Sequence, residues 1–292
     1  MKGEGTKGVT FGSGWMHRTL ISLLRTVDIR FFYAFMRYGV IPVTMVISPG
    51  ARLTYRYFRE KKSEGRWASL KHTFQNHCLF GQTVIDKFAM YAGRTFPITY
   101  HGLDYYRQLA QRPEPLLILG AHIGCSEIVG YSLHQHKPCN VLVYGGEKEE
   151  LMKYRQSSFG NMAIRMIPVG VGTDHSDEIV QALDRGEAVS AFADRFMTQN
   201  KVVVGTLHGH HVQLAKGPFS LAVTRGIEVI MVSGLKESDG SYTAYITPLH
   251  YDKTADKRTQ RQQLADAYCA EIARLLEQYP LQWFNYSDIW TD

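Results

Sequence analysis

A histidine and a glutamate five residues apart are the side chains in this sequence best suited to acid–base chemistry. His122 follows an apolar run at residues 116–119 and a glycine, and Glu127 lies at the start of a segment with helical character. Imidazole titrates near neutral pH, so His122 is able to take a proton from a hydroxyl group. A carboxylate on the other ring nitrogen fixes the tautomer, and we assign this role to Glu127. The spacing also fits a plainer interpretation, in which His122 caps the helix and Glu127 is a solvated acid of its first turn.

The elements around this pair have the pattern of an α/β protein. An apolar run bounded by prolines and a glycine is typical of a strand buried on both faces, and the turn from such a strand into a helix is where α/β proteins keep their chemistry. Further strands are predicted at residues 139–144, 164–168, 186–195, 202–207, 227–234 and 242–248, with helices at residues 66–92, 147–159, 174–185 and 254–279.

Two other groups of residues are predicted to lie near His122. Asp194 and Arg195 stand at the end of a predicted strand, and the carboxyl ends of parallel strands meet at one edge of a sheet; a purely structural salt bridge is the alternative. Lys216 and Gly217 precede a proline at a helix start. Free amides and a lysine at that point predict an anion site suited to a developing oxyanion.

The first 48 residues are predicted to form a mobile tail followed by a helical segment that associates with a membrane. Residues 15–47 are apolar and aromatic but repeatedly interrupted by arginine, and the longest uncharged run, residues 38–51, falls short of the ~20 residues that span a bilayer. We interpret the segment as interfacial helices with snorkelling basic side chains, the alternative being a helical layer packed on the core. Residues 49–292 then form a single domain.

The composition narrows the classes of partner. A net charge of +6 favours an anionic membrane surface or an acidic carrier protein, and no nucleic-acid motif accompanies it, so no nucleic acid is expected. The 4 cysteines are scattered and predict reduced thiols in the cytoplasm. The histidines at residues 208–211 have no carboxylate at ligand spacing, so neither a metal nor another cofactor is predicted.

Several of these blocks resemble a known family. The run Leu-Gly-Ala-His with Glu127 resembles the signature of glycerolipid-type acyltransferases, which is a histidine, four residues, then an aspartate or glutamate. The Gly-Glu-Ala-Val block at residues 186–189 and the Pro-x-Gln-Trp ending at residues 280–283 are most similar to the late acyltransferases of lipid A biosynthesis. The resemblance implies a mixed, largely parallel central sheet flanked by helices.

The resemblance also implies a function. A fatty acyl chain would pass from acyl carrier protein to a hydroxyl of a lipid acceptor, a lipid A precursor, at the cytoplasmic face of the inner membrane. An arginine would hold a substrate phosphate, for which Arg155 and Arg165 are the candidates. Open alternatives are a lysophospholipid or aminolipid acceptor, coenzyme A as donor, a hydrolase, and a non-catalytic membrane-surface binding protein.

Overall fold

A seven-stranded sheet forms the centre of the molecule. The computed structural model describes residues 14–133, 136–144, 163–170, 175–196 and 201–291. These residues form nine strands: β1 (Ile98–His101), β2 (Leu116–Gly120), β3 (Cys139–Tyr144), β4 (Ile164–Val169), β5 (Ala188–Phe192), β6 (Val202–Leu207), β7 (His210–Ala215), β8 (Glu228–Lys236) and β9 (Tyr242–Pro248). Each predicted strand is present, with ends shifted by a few residues.

The sheet is mixed and largely parallel, as the sequence predicts. Its order is β1-β9-β8-β2-β5-β3-β4, and β8, β2, β5, β3 and β4 all run in the same direction. The direction reverses once, where β9 pairs antiparallel with β8, and β1 then runs parallel to β9. β6 and β7 form a separate antiparallel hairpin.

Helices cover both faces of the sheet and also form the N-terminal part of the chain. They are α1 (Gly14–Thr26), α2 (Ile29–Phe35), α3 (Ile41–Ile47), α4 (Pro49–Arg56), α5 (Arg66–Tyr91), α6 (Leu103–Ala110), α7 (Ser126–Leu133), α8 (Ser176–Asp184), α9 (Lys216–Arg225) and α10 (Lys257–Gln278). Two π-helical turns, Met36–Val40 and Tyr57–Lys61, follow α2 and α4. The helix predicted at residues 147–159 lies outside the described residues.

Burial of β2 on both faces explains its unbroken apolar sequence. Leu117 and Leu119 pack on one side into a core that includes Tyr268 of α10. Leu116 and Ile118 point to the other side, into a second core formed with α6 and α7. All five residues of the strand are buried, so the strand that leads into His122 is held from both directions.

The N-terminal helices pack against α5 and are sharply bent. Ser48 begins α4 by accepting a hydrogen bond from the amide of Gly50 at 3.2 Å, and Pro49 sits in the first helical turn, where its missing N–H needs no partner. The chain turns by 83° between residues 29–47 and residues 49–61. Within the described residues no single helix is long and apolar enough to cross a bilayer, and this bent pair passes that test only when its halves are taken together.

A buried ion pair ties these helices to the sheet. Asp86 of α5 is fully buried, and its carboxylate pairs with the ammonium group of Lys236 at the end of β8. Tyr33 of α2 and Tyr242 of β9 both donate hydroxyl hydrogen bonds to the same carboxylate. The cluster therefore joins the N-terminal layer, α5 and two strands at one point.

Candidate active site

His122 lies at the carboxyl edge of the parallel strands, two residues beyond the end of β2. Its side chain is 28% exposed, so part of the imidazole ring is accessible to solvent. The ring of Phe192, the last residue of the adjacent β5, lies 4.9 Å from the imidazole, measured between centroids. The strand–turn–helix position predicted for His122 is confirmed.

The carboxylate that orients His122 belongs to Asp194. Oδ1 of Asp194 accepts from Nδ1 of His122 at 2.7 Å, and Oδ2 accepts from the backbone amide of the same residue at 2.8 Å. The two residues meet because β2 and β5 are neighbouring parallel strands, with Gly120 paired to Phe192. The predicted convergence of Asp194 and His122 at one sheet edge is therefore what the structure shows.

The charge of Asp194 determines the tautomer of His122. Burial acts to raise the pKa of this fully buried carboxyl, but the positive charge of His122, its two hydrogen bonds and Arg195 outweigh burial and leave the pKa below its usual value. An ionised carboxylate only accepts hydrogen bonds, so Nδ1 carries the proton. In the neutral ring, Nε2 then presents its lone pair, which is the state required of a general base.

Glu127 does not hold the ring nitrogen that the sequence analysis assigned to it. Its carboxylate accepts a hydrogen bond from the hydroxyl of Tyr91 and lies 3.6 Å from Nζ of Lys87. Both partners are on α5, against which α7 packs, so the first-turn acid of α7 is held by α5 while Nδ1 of His122 is already occupied. The prediction that Glu127 orients His122 is corrected to Asp194.

The C-terminal segment, residues 279–291, holds both halves of the His122–Asp194 pair. The amide of Phe284 donates to the carbonyl of His122 at 2.6 Å, and the amide of Gly124 donates to the carbonyl of Gln282 at 2.8 Å. The side-chain amide of Asn285 donates to the carbonyl of Asp194 at 2.5 Å. These three bonds fix the backbone of the pair.

An indole from the same segment also touches the carboxylate. Nε1 of Trp283 lies 3.4 Å from Oδ2 of Asp194, a long hydrogen bond to the oxygen that already accepts the His122 amide. On the other side of the segment, Asn76 of α5 donates to the carbonyls of Leu281 and Trp283, both at 2.9 Å. Asn76 therefore anchors this segment to α5.

Arg195 takes part in the same arrangement. Its guanidinium donates from Nε to Oδ1 of Asn285 at 3.1 Å and from Nη2 to the carbonyl of Phe284 at 2.8 Å. Burial lowers the pKa of this arginine, an effect that Asp194 opposes. Arg195 therefore sits at the His122 edge as predicted, and its hydrogen bonds hold the C-terminal segment.

Lys216 and Gly217 begin α9 beside the end of β5. The amide of Ala215 donates to the carbonyl of Ala193 at 2.9 Å, which places the start of α9 next to the residue that precedes Asp194. Both Lys216 and Gly217 are exposed. The helix begins two residues before its proline, and the predicted nearness to the Asp194 edge is present.

The two candidate phosphate-binding arginines differ in position. Arg165 lies on β4, the outermost strand on one side of the sheet. Across the sheet, Arg165 pairs with Asn140, Asn140 with Val189, and Val189 with Leu117, which is three residues before the end of β2. With β4 three strands from β2, this is about 14 Å across the sheet and 10 Å along it. Arg165 is thus not brought to His122, because a residue at the start of a strand lies at the amino edge. Arg155 lies outside the described residues.

Cys125 is unsuited to act as a nucleophile, although it lies three residues from His122. Burial, with a contribution from the nearby charge of Glu127, raises the pKa of its thiol to about 12. The thiolate is the reactive form of cysteine, so this thiol is inert at neutral pH.

Comparison with known proteins identifies the family. The sequence profile described as bacterial lipid A biosynthesis acyltransferase matches residues 83–287, which is more than half of the chain and includes both His122 and Asp194. The chain belongs to that family. As a member of the bacterial lipid A biosynthesis acyltransferases, it is an enzyme that transfers acyl groups between a donor and a lipid acceptor, and the resemblance noted in the sequence is confirmed.

The chain is also similar to a solved acyltransferase structure. The 1-acyl-sn-glycerophosphate (LPA) acyltransferase PlsC from Thermotoga maritima is 13% identical, with 92% of this chain and 99% of that chain covered and a TM-score of 0.41. At that score the likeness adds nothing to the family assignment. No curated protein matches the chain.

Proposed function

We propose that this enzyme moves a fatty acyl chain from the thioester of acyl carrier protein to a hydroxyl of a lipid A precursor, with His122 as the general base. The observation that carries the proposal is the bond between Nδ1 of His122 and Asp194, which leaves Nε2 as the nitrogen that can take a proton in a partly exposed ring. Glu127, the acid of the sequence signature, supports the first turn of α7 through Tyr91 and Lys87.

The chemistry needs one proton shuttle. Nε2 of His122 takes the proton of the acceptor hydroxyl as that oxygen attacks the thioester carbonyl, and Asp194 stabilises the imidazolium that forms. The tetrahedral intermediate then expels the thiolate, which receives the proton back from Nε2. The ester C–O bond forms and the C–S bond breaks without a covalent acyl-enzyme, in keeping with the raised pKa of the Cys125 thiol.

The start of α9 is the proposed stabiliser of the negative charge that develops on the thioester oxygen. Lys216 and Gly217 are exposed and lie beside the end of β5, the strand that leads to Asp194. A cation and the free amides of a first helical turn both favour an anion there. Of the arginines proposed for a substrate phosphate, Arg155 keeps that assignment, since Arg165 lies at the far edge of the sheet.

We place the enzyme at the cytoplasmic face of the inner membrane, with α1 to α3 in the interface. Large apolar side chains are exposed along these helices: Trp15, Met16, Leu23, Phe31, Phe35, Tyr38, Val43, Val46 and Ile47. Exposed arginines lie among them, at residues 18, 25, 30 and 37. Aromatic and aliphatic groups beside cations match the chemistry of a lipid headgroup boundary.

Vesicle binding tests this location. The purified enzyme should bind phosphatidylglycerol vesicles and release at high salt, since exposed charges are screened within ~8 Å at physiological ionic strength. Replacing Phe31, Phe35 and Val46 together by serine should weaken binding at every salt concentration. These variants are preferable to deleting residues 1–48, because α1 and α2 bury Ile21, Leu24 and Phe32 against α5 and their loss would expose it. Unchanged binding by the triple variant would contradict the interfacial assignment.

Mass spectrometry of the products tests the reaction. Purified enzyme is given acyl carrier protein or coenzyme A thioesters, each with a lipid A precursor, a lysophospholipid or an aminolipid. We expect an acylated lipid A precursor, formed faster from the carrier protein than from coenzyme A. Preferential acylation of another lipid would overturn the acceptor, better turnover of coenzyme A thioester would overturn the donor, and release of free fatty acid alone would indicate a hydrolase.

A further inference from the structure

The outer side of α4 and the π-helical turn after it carries a row of arginines, which we name the basic face. Arg52, Arg56 and Arg59 are spaced by four and three residues and are all exposed, so they follow one side of the helix. The opposite side is buried through Thr54, Phe58 and other residues packed on the core. The fold thus fixes the helix and leaves its arginines facing outward.

The charge on this face is positive. Lys61 and Lys62 follow Arg59 in the chain. The acidic residues alongside are Glu60, 3.4 Å from Nε of Arg56, Glu64, whose carbonyl accepts from Nη1 of Arg59 at 2.6 Å, and Asp288 of the C-terminal segment. Five cationic and three acidic side chains leave a net charge of +2. An anionic partner is therefore the kind of partner that this surface fits.

The basic face differs from the membrane-facing helices next to it. Large exposed apolar side chains are frequent from Trp15 to Ile47, and the next one along the chain is Trp67, so the basic face has none. The 83° bend at Ser48 also turns α4 away from the direction of α2 and α3. A surface with cations but no inserting side chains suits an acidic protein better than a lipid interface.

A cavity of about 200 Å³ lies between the basic face and the C-terminal segment. Its lining includes two cationic residues, Arg56 and Lys61, two acidic residues, Glu60 and Asp288, and Asn285 of the C-terminal segment. Asn285 is the residue whose side chain donates to the carbonyl of Asp194 and accepts from Arg195. A group that enters between the helix and the C-terminal segment therefore reaches the backbone support of the His122–Asp194 pair.

We propose that the basic face docks an acidic helix of the acyl-carrying protein. This inference rests on the proposed function, in which a carrier protein is the donor. Arg52, Arg56 and Arg59 supply long-range attraction for the carrier, and the cavity beside them is lined by Asn285, which supports Asp194.

Charge reversal tests the docking face. The full-length Arg52→Glu/Arg59→Glu double variant and an Arg258→Glu/Arg112→Glu control, which makes the same change in net charge at exposed sites elsewhere, are compared with the wild-type enzyme. We expect the KM for acyl carrier protein to rise roughly tenfold in the first variant and to lose most of its salt dependence. Transfer from a small acyl-pantetheine thioester, thermal melting and binding to phosphatidylglycerol vesicles should match the control.

The contrary outcomes are distinct. An unchanged KM for the carrier protein, with wild-type enzyme that does use it, would overturn the docking face and leave the donor assignment standing. Loss of vesicle binding with an unchanged KM would show that the arginines meet lipid and would also overturn the proposal. A wild-type enzyme that accepts only coenzyme A thioester would overturn donor and docking together while leaving acyl transfer itself intact.

Discussion

Replacing Asp194 by asparagine should abolish the base without removing the imidazole. The carboxylate accepts three donors in the structure: Nδ1–H of His122 at 2.7 Å, the His122 amide at 2.8 Å and, more weakly, the indole of Trp283 at 3.4 Å. An asparagine has the same shape but turns one oxygen into an N–H donor. If its oxygen faces the backbone amide and the indole, its NH2 group faces Nδ1, which must then become an acceptor and shift its proton to Nε2.

The size of the effect follows from that tautomer. With Nε2 protonated, the ring no longer has a lone pair for the acceptor hydroxyl, so the variant should lose most of what His122 contributes, ~10²–10⁴-fold in a positioned acid–base group. The loss of a comparable orienting aspartate in serine proteases is about 10⁴-fold. Because the two residues act as one unit, the double variant with His122→Ala should be no slower than the slower single variant.

Single-turnover transfer of a labelled acyl chain measures this effect, and Glu127→Gln is the matched control. Both changes neutralise an acid by an isosteric amide, but Glu127 is bonded to Tyr91 and Lys87 rather than to His122, so we expect its variant to lose about tenfold or less. Thermal melts check folding, since a mismatched buried donor costs about 1–3 kcal/mol. A Glu127→Gln enzyme as slow as His122→Ala, beside an active Asp194→Asn enzyme, would refute the assignment of the orienting role to Asp194.

Three further predictions concern stability. Lys236→Met leaves the buried carboxylate of Asp86 without its cation and should lower the free energy of unfolding by about 3–5 kcal/mol in urea melts. The double variant with Asp86→Leu should recover much of this loss. A Lys236→Met variant as stable as the wild type would contradict the prediction. Burial and nearby positive charge lower the pKa of His208 to about 4, so the unfolded chain binds more protons than the folded chain below pH ~6.5. The free energy of unfolding should therefore decrease as the pH falls from ~6.5 to about 4. The His208→Asn variant, whose asparagine tolerates the left-handed backbone (φ 52°), should show a smaller decrease over the same range. Gly124 has φ 58° and a β-carbon there would strike the carbonyl of Gly234, so Gly124→Ala should cost about 1–3 kcal/mol and slow transfer, and an unchanged melt would oppose it.

The parts of the fold that local pattern controls were predictable from the sequence. The apolar run before His122 is a strand because it is buried on both faces, and α5 ends where Gly93, with φ 92°, stops the helix. Strands of alternating or β-branched residues and helices with capping residues were located to within a few positions. In each of these cases the sequence pattern that indicates the element lies within the element itself.

The partner of His122 was not predictable in the same way. Glu127 and Asp194 both satisfy the requirement for an acid near a strand end, and the choice between them depends on which strand is next to β2. That order places β5 there, 72 residues away in the chain, and no local periodicity encodes it. Asn285, near the C-terminal end of the sequence, shows no signal beyond its place after the Pro-x-Gln-Trp ending, yet it supports Asp194.

The most direct test of His122 as the general base is the single-turnover rate of the His122→Ala enzyme with its acyl donor and lipid acceptor. We expect a rate ~10²–10⁴-fold below wild type, with vesicle binding unchanged, because the substitution removes the base and no core apolar area. If His122 served only to cap α7, the variant would instead lose about 1 kcal/mol of stability and keep its activity. A His122→Ala enzyme that transfers acyl chains at the wild-type rate would contradict the mechanism.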